Sequence, residues 1–188
     1  TLRLAQTLQD SAENNPLSLD PSSITVDWER RKQEGLSYSM GFTYSGTEFN
    51  PGMGFEMIDD FVASAPELRY TWISPESSWL QSHYIRLFNY VFYRIPEYSL
   101  MMYNLNPSWF FSSKNNWMGS VGLVYRIDQL EEDFELADPV IVPVGRYQYL
   151  STELMLQTPG SRSFYSILMF EGGAYFDGYK LSPSIQPK

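Results

Sequence analysis

The 188-residue sequence contains no cysteine and a single histidine, His83. Without cysteine, a disulfide framework, a thiolate metal site and a cysteine nucleophile are excluded. One histidine excludes a histidine-cluster metal site and leaves any histidine-dependent triad to His83. His83 could act as a general base together with Glu76 or Asp60. However, the sequence has no Gly-x-Ser-x-Gly elbow to supply a nucleophile, and in a strand Ser82 points away from His83. We predict no catalytic residue, no metal ligand and no enzymatic activity.

Basic residues are also scarce. Lysine and arginine number 13 against 22 aspartates and glutamates, which gives a net charge of −9. No basic stripe is available to displace counterions from a phosphate backbone, so nucleic acid is excluded as a partner. No glycine-rich phosphate loop occurs, and no cofactor is predicted. No two acidic residues stand out as the catalytic pair of a glycosidase. The hypothesis that the chain is a hydrolase therefore rests only on the number of acidic residues.

Long hydrophobic runs are absent as well. No window reaches the roughly 18 uncharged apolar residues of a spanning helix, which excludes a helical membrane protein. The same argument does not exclude a transmembrane β-barrel, because each of its strands crosses the membrane with about 10 residues, of which only every second one is apolar. No signal peptide follows Thr1, and we expect the chain to be a piece of a longer protein.

What the sequence has in abundance is alternation with a period of two. From Leu36 to Ser45, large apolar residues alternate with serine, glycine and threonine. Large apolar side chains opposite very small polar ones are typical of a barrel wall that has lipid outside and a crowded or polar interior. Similar alternation marks residues 24–29, 68–72, 117–126, 150–156 and 174–181. The segment Tyr84–Ile95 is apolar on both faces except for Arg86, Asn89 and Arg94, which suits packing against an inner plug or a neighbouring chain.

Turn chemistry separates these runs. The predicted turns are Asn14–Pro16, Asn50–Gly52, Ser74–Glu76, Asn106–Pro107, Lys114–Asn116 and Thr158–Ser161. Asp59–Ala65 forms at most one helical turn. The sequence therefore predicts an all-β, antiparallel up-and-down transmembrane β-barrel, or part of one, with roughly nine to eleven strands in a single domain over residues 1–188.

Aromatic residues make up 16% of the chain, and many lie near the ends of predicted strands. Two interpretations stay open: interfacial girdles of an outer-membrane barrel, or flat platforms that stack on sugars. The girdle interpretation is favoured for Trp28, Trp72, Trp79, Tyr98, Trp109, Trp117, Tyr147 and Tyr149.

The acidic run Glu131, Glu132, Asp133, Glu135 and Asp138 is the one candidate for a cation site. Carboxylate oxygens are the ligands that calcium prefers, but the spacing matches no calcium loop and the run lacks glycine. We therefore interpret residues 131–138 as a solvated loop.

Three segments carry a resemblance to a known family. Glu48–Phe55 resembles an "Asp-Phe-Asn-Pro-x-x-Gly-Phe" signature, Asp133–Glu135 followed by Val142–Tyr147 is similar to an acidic turn before "Ile-Pro-x-Gly-x-Tyr", and Gly172–Gly178 is similar to a "Gly-x-Phe-Tyr-Asp-Gly" hairpin. These are motifs of an uncharacterised bacterial family that joins an N-terminal family-9 carbohydrate-binding-like module to a C-terminal outer-membrane β-barrel domain. The resemblance runs from about Val26 to Leu181, and implies a fragment of the barrel domain with further strands on either side.

The leading functional hypothesis is a segment of a bacterial outer-membrane β-barrel that acts as a pore, an anchor or a component of a surface assembly. Its expected partner is outer-membrane lipid, and other outer-membrane or surface proteins and glycans stay open. The alternative is a soluble all-β module that binds glycans or small ligands on tryptophan and tyrosine platforms.

Overall fold

The computed structural model describes residues 1–7, 18–50, 60–137, 140–161 and 165–187. These residues form twelve strands and no helix. The strands are β1 (Leu2–Gln6), β2 (Ser22–Arg30), β3 (Gly35–Ser45), β4 (Phe61–Ile73), β5 (Leu80–Arg94), β6 (Ser99–Ser113), β7 (Met118–Leu130), β8 (Phe134–Ala137), β9 (Val140–Val142), β10 (Gly145–Gln157), β11 (Ser166–Tyr175) and β12 (Gly178–Pro187).

Ten of the strands form one antiparallel sheet in the order β1-β2-β3-β4-β5-β6-β7-β10-β11-β12. Each strand therefore pairs with its neighbour along the chain, apart from the β8–β9 hairpin, which forms a separate two-stranded sheet between β7 and β10. The predicted all-β, up-and-down architecture is confirmed, but the sheet is open, with β1 and β12 as its edges.

Most predicted strands coincide with observed ones, because alternation with a period of two is specific for a strand with two unlike faces. Two short segments were predicted wrongly. Residues 61–65 begin β4 rather than a helical turn, since Ala63 and Ala65 continue the small-residue side of the alternation. The alternation over 174–181 is not one strand, because Phe176 and Asp177 form the turn between β11 and β12.

The acidic run and the Asn50 turn had different outcomes. Residues 134–137 form β8, paired with β9, so the run is not loop throughout. Its last member, Asp138, lies outside the described residues, as do the Asn14–Pro16 turn and most of the Asn50–Phe55 segment.

A third error is more informative. Asn106–Pro107 was predicted as a turn but lies in the middle of β6. Pairing of β6 with β5 continues through Pro107, whereas pairing with β7 is interrupted between Leu105 and Ser108. A proline has no N–H to donate, so one backbone carbonyl of β7 needs another donor. The Asn106 side chain supplies it: Nδ2 donates to the Leu123 carbonyl oxygen over 3.0 Å.

Candidate functional site

Strand register divides the sheet into two faces, because residues opposite each other in an antiparallel pair project to the same side. On one side, most residues that lie opposite each other across the strands are large and apolar, and we call this side the apolar face. One row across it consists of Leu36, Tyr70, Ile85, Trp109, Val121, Leu154, Phe170 and Pro183. We call the opposite side the polar face, and one of its rows consists of Ser37, Arg69, Arg86, Ser108, Gly122, Glu153, Glu171 and Ser182.

Charge is strongly segregated between these faces. The charged side chains on the polar face of the ten strands are Arg3, Asp27, Glu29, Glu67, Arg69, Arg86, Arg94, Arg126, Asp128, Glu153, Glu171 and Lys180. The charged residues that fall on the apolar face of the described strands are Arg30 and Arg146, each within two residues of a strand end. The middle of the apolar face is therefore uncharged across the whole sheet.

The apolar face is also exposed. Leu68 and Ile85, in the centre of the sheet, are 50% and 51% exposed, and Trp28 is 65% exposed. On the polar face, by contrast, small side chains such as Thr71 and Ser108 are buried, at 4% and 7%. Elements contact chiefly their neighbours in the sheet, so no second layer of described residues explains this burial. Large side chains of the same face lie beside these small residues, with Arg69 over the Tyr84 ring and Arg86 over the Phe110 ring.

Aromatic rings form a continuous ladder at one end of the apolar face. Trp72 stacks on His83 at 5.0 Å between ring centroids, and Trp109 Nε1 donates to His83 Nδ1 over 3.3 Å. Tyr70, Phe111 and Trp79 extend this aromatic ladder along and across the strands. Of the predicted girdle residues, Trp28, Trp72 and Trp109 lie on the apolar face.

Tyr147 and Tyr149 do not share that position. They lie on the polar face, opposite Asp128 and Arg126. Tyr149 is buried and donates its hydroxyl to Asp128 Oδ2. Tyr147 donates its hydroxyl to the Pro143 carbonyl oxygen, and neither tyrosine shares the face on which Trp28, Trp72 and Trp109 lie.

The centre of the polar face holds a hydrogen-bond network that the sequence did not reveal. Asn106 is buried, and its Oδ1 accepts from Arg86 Nη2 over 2.9 Å and from Ser108 Oγ over 2.7 Å. Arg86 in turn lies over the Phe110 ring. Gly122 leaves room for this network, since a Cβ there would come within 2.6 Å of Ser108 Oγ. An asparagine just before a proline inside an alternating segment was the available signal.

The candidate chemical groups are dispersed. His83 is held among aromatic rings rather than beside Asp60 or Glu76. In the acidic run, Glu131 pairs with Arg94 at 2.6 Å, and Asp133 Oδ1 accepts from the Val144 N–H at 2.9 Å. Among the described residues, no group of three or more metal-ligating side chains could hold a metal ion. The part of the chain that the structure describes also contains no helix long and apolar enough to cross a membrane.

Comparisons with protein-family models, curated proteins and solved structures found no match to this chain. The family suggested by the sequence motifs therefore stays a prediction.

Proposed function

We propose that the chain is a segment of the wall of a bacterial outer-membrane β-barrel, with its apolar face against lipid and its polar face toward the interior. In this role it serves as a pore, an anchor or a component of a surface assembly. The observation that carries the proposal is the uncharged, exposed apolar face of a single-layer sheet. Exposed apolar patches of this extent need a cover, and lipid is a cover that requires no further protein.

Strand length supports the same proposal. β4 to β7 and β10 contain 13 to 15 residues. About 10 residues in a tilted strand are enough to cross the hydrocarbon core, so these strands leave a few residues at each end for the interfaces. The aromatic ladder, with its tryptophans and one histidine, lies where such an interface would be.

The strand edges impose a condition on the proposal. Backbone groups in lipid must all be paired, so an open sheet cannot be the complete transmembrane structure. The sheet has ten strands that alternate in direction, and β1 and β12 therefore run antiparallel to each other. Either direct closure or closure through additional strands is compatible with this arrangement.

Membrane insertion of matched variants tests the proposal. We expect the refolded chain to be monodisperse only with detergent and to float with phospholipid vesicles in a density gradient. Val121→Asp places a carboxylate on the apolar face and should abolish flotation. Ser120→Asp, one position away on the polar face, is the matched control and should float like the parent chain.

Two results would contradict the proposal: a chain that is monodisperse in buffer and does not float, or equal flotation of the two variants. The first result would favour a soluble all-β ligand-binding module instead.

A further inference from the structure

A cavity of about 420 Å³ opens on the polar face between β10 and β11, near the β12 edge of the sheet. Two pairs of residues flank it. Met155 lies opposite Met169 in the register of the two strands, and Glu153 lies opposite Glu171 in the next polar-face pair. All four residues line the cavity. Two thioethers and two carboxylates therefore border the same space.

The hydrogen-bond pattern of β10 and β11 brings the side chains of each pair close together. The Thr158 N–H donates to the Ser166 carbonyl oxygen over 3.0 Å, so these two residues form a hydrogen-bonded pair. Hydrogen-bonded and non-hydrogen-bonded pairs alternate along an antiparallel ladder, which makes the methionine pair and the glutamate pair both non-hydrogen-bonded. Cα atoms in such pairs are about 4.5 Å apart, and successive pairs of one face are about 6.8 Å apart along the strand. Side chains as long as methionine and glutamate can therefore reach a common point from both pairs.

The four residues are accessible to solvent. Met169 is 37% exposed and Glu153 is exposed, while Met155 and Glu171 are half-buried. An ion that approaches the polar face therefore meets thioether and carboxylate groups without any rearrangement of the sheet.

The charge around the cavity suits a monovalent cation. Glu171 pairs with Lys180 at 2.7 Å, so these two charges compensate each other. Glu153 makes no ion pair within the part of the chain that the structure describes. It leaves one uncompensated negative charge, which a cation with a single charge neutralises and which repels an anion.

The thioethers determine which cation fits. Histidine, cysteine and carboxylate side chains of the described residues form no group of three that could hold a metal ion. Methionine sulfur is a further donor, and it is a soft ligand that selects soft ions such as Cu(I), whereas calcium and magnesium prefer oxygen. Two thioethers beside one free carboxylate therefore favour a soft monovalent ion over a hard divalent one.

We propose that this cavity binds a soft monovalent metal ion, Cu(I) or its analogue Ag(I), through the sulfur atoms of Met155 and Met169. Glu153 supplies the compensating charge. The site depends on the register of β10 with β11 and not on what covers the apolar face, so it stands independently of the proposed function. No electron is transferred, and the ion binds and leaves in the same oxidation state.

Titration of the refolded chain with silver nitrate, in a chloride-free buffer and an uncharged detergent, tests the proposal. Ag(I) has the charge and the sulfur preference of Cu(I) and is not oxidised by air. We expect one equivalent to bind and, with 13C-labelled methionine methyl groups, two of the eight methionine resonances to shift. Met155→Leu and Met169→Leu should each weaken binding about tenfold or more, and excess calcium should not compete.

Thermal unfolding separates metal binding from packing. Leucine is close to methionine in volume, so without silver these variants should unfold near the temperature of the parent chain. Silver should raise the unfolding temperature of the parent but not of the Met155→Leu, Met169→Leu double variant. Met40→Leu, on the apolar face of β3, is the matched control and should bind silver like the parent chain. The proposal is overturned if the chain binds no silver, if the double variant binds it as tightly as the parent, or if calcium displaces it.

Discussion

The two faces of the sheet are formed by the same strands, yet the side chains on the two faces have different kinds of partner. On the polar face, Arg86, Asn106 and Ser108 bond to one another, and Glu171 bonds to Lys180. On the apolar face, aliphatic side chains such as Leu68 and Ile85 contact few neighbours and remain half exposed. These polar groups thus bond within the chain, whereas the apolar face needs an apolar environment from outside.

The largest expected effect comes from placing a charge on the apolar face. Met40 lies in the middle of β3, opposite Trp28 and Pro66. If this face contacts lipid, Met40→Arg should destabilise the folded chain in bilayers by about 2–4 kcal/mol, because a guanidinium near the bilayer midplane loses its hydration. Urea titration of the refolded protein in liposomes measures the difference.

Ser39→Arg is the matched control on the polar face. Ser39 lies between Glu29 and Glu67 in register, so an arginine there gains two carboxylate neighbours. We expect a change below about 1 kcal/mol, of either sign. Similar destabilisation by the two arginines would remove the distinction between the faces.

A smaller effect is expected inside the polar-face network. Asn106→Leu leaves the Leu123 carbonyl, Arg86 and Ser108 without their partner, and should cost about 1–3 kcal/mol. Pro107→Ala restores a backbone N–H toward β7, so the same Asn106→Leu change should cost less in that background. A double-mutant cycle measures the coupling. Equal costs in the two backgrounds would show that Asn106 does not compensate for the proline.

The ion pair between Lys180 and Glu171 should matter less. Its side chains are 38% and 32% exposed, and such pairs contribute about 0–1 kcal/mol. Lys180→Met should therefore lower the free energy of unfolding by less than about 1 kcal/mol, and added salt should shrink the difference. A loss well above that value, insensitive to salt, would place this pair in a drier environment than the structure gives it.

Calcium is expected to have no effect at all. Two members of the acidic run are already engaged, Glu131 with Arg94 and Asp133 with the Val144 N–H. Calorimetry with millimolar calcium should give a flat titration. Saturable heat that disappears in the Asp133→Asn, Glu135→Gln double variant would instead establish a cation site in this segment.

Much of the fold was predictable because the alternation reports directly on a sheet with two unlike faces. β3 shows this best, since every second residue changes from large and apolar to small or polar. The errors occurred where a local signal has two meanings. Asn106–Pro107 has the composition of a turn, and its place inside β6 depends on a side-chain bond to Leu123, a residue 17 positions away.

The candidate sites were less predictable than the fold. The alternation separated small polar residues from large apolar ones, but it did not show that Arg126, Asp128 and Tyr149 meet in one place. Their proximity depends on the register between β7 and β10, which are separated in sequence by the β8–β9 hairpin. Residues on two strands joined by such an insertion give no spacing from which a cavity can be recognised.

The apolar face against lipid is the central claim, and a spin-label scan along β10 tests it most directly. The chain has no cysteine, so single cysteines from Leu150 to Met155 can each be labelled with a nitroxide without background. In liposomes, we expect high collision rates with oxygen at Leu150, Thr152 and Leu154. Labels at Ser151, Glu153 and Met155 should show lower oxygen collision rates and greater access to a water-soluble nickel chelate where the interior is hydrated. A period of two with this phase supports the account; uniform access to nickel at all six positions would contradict it.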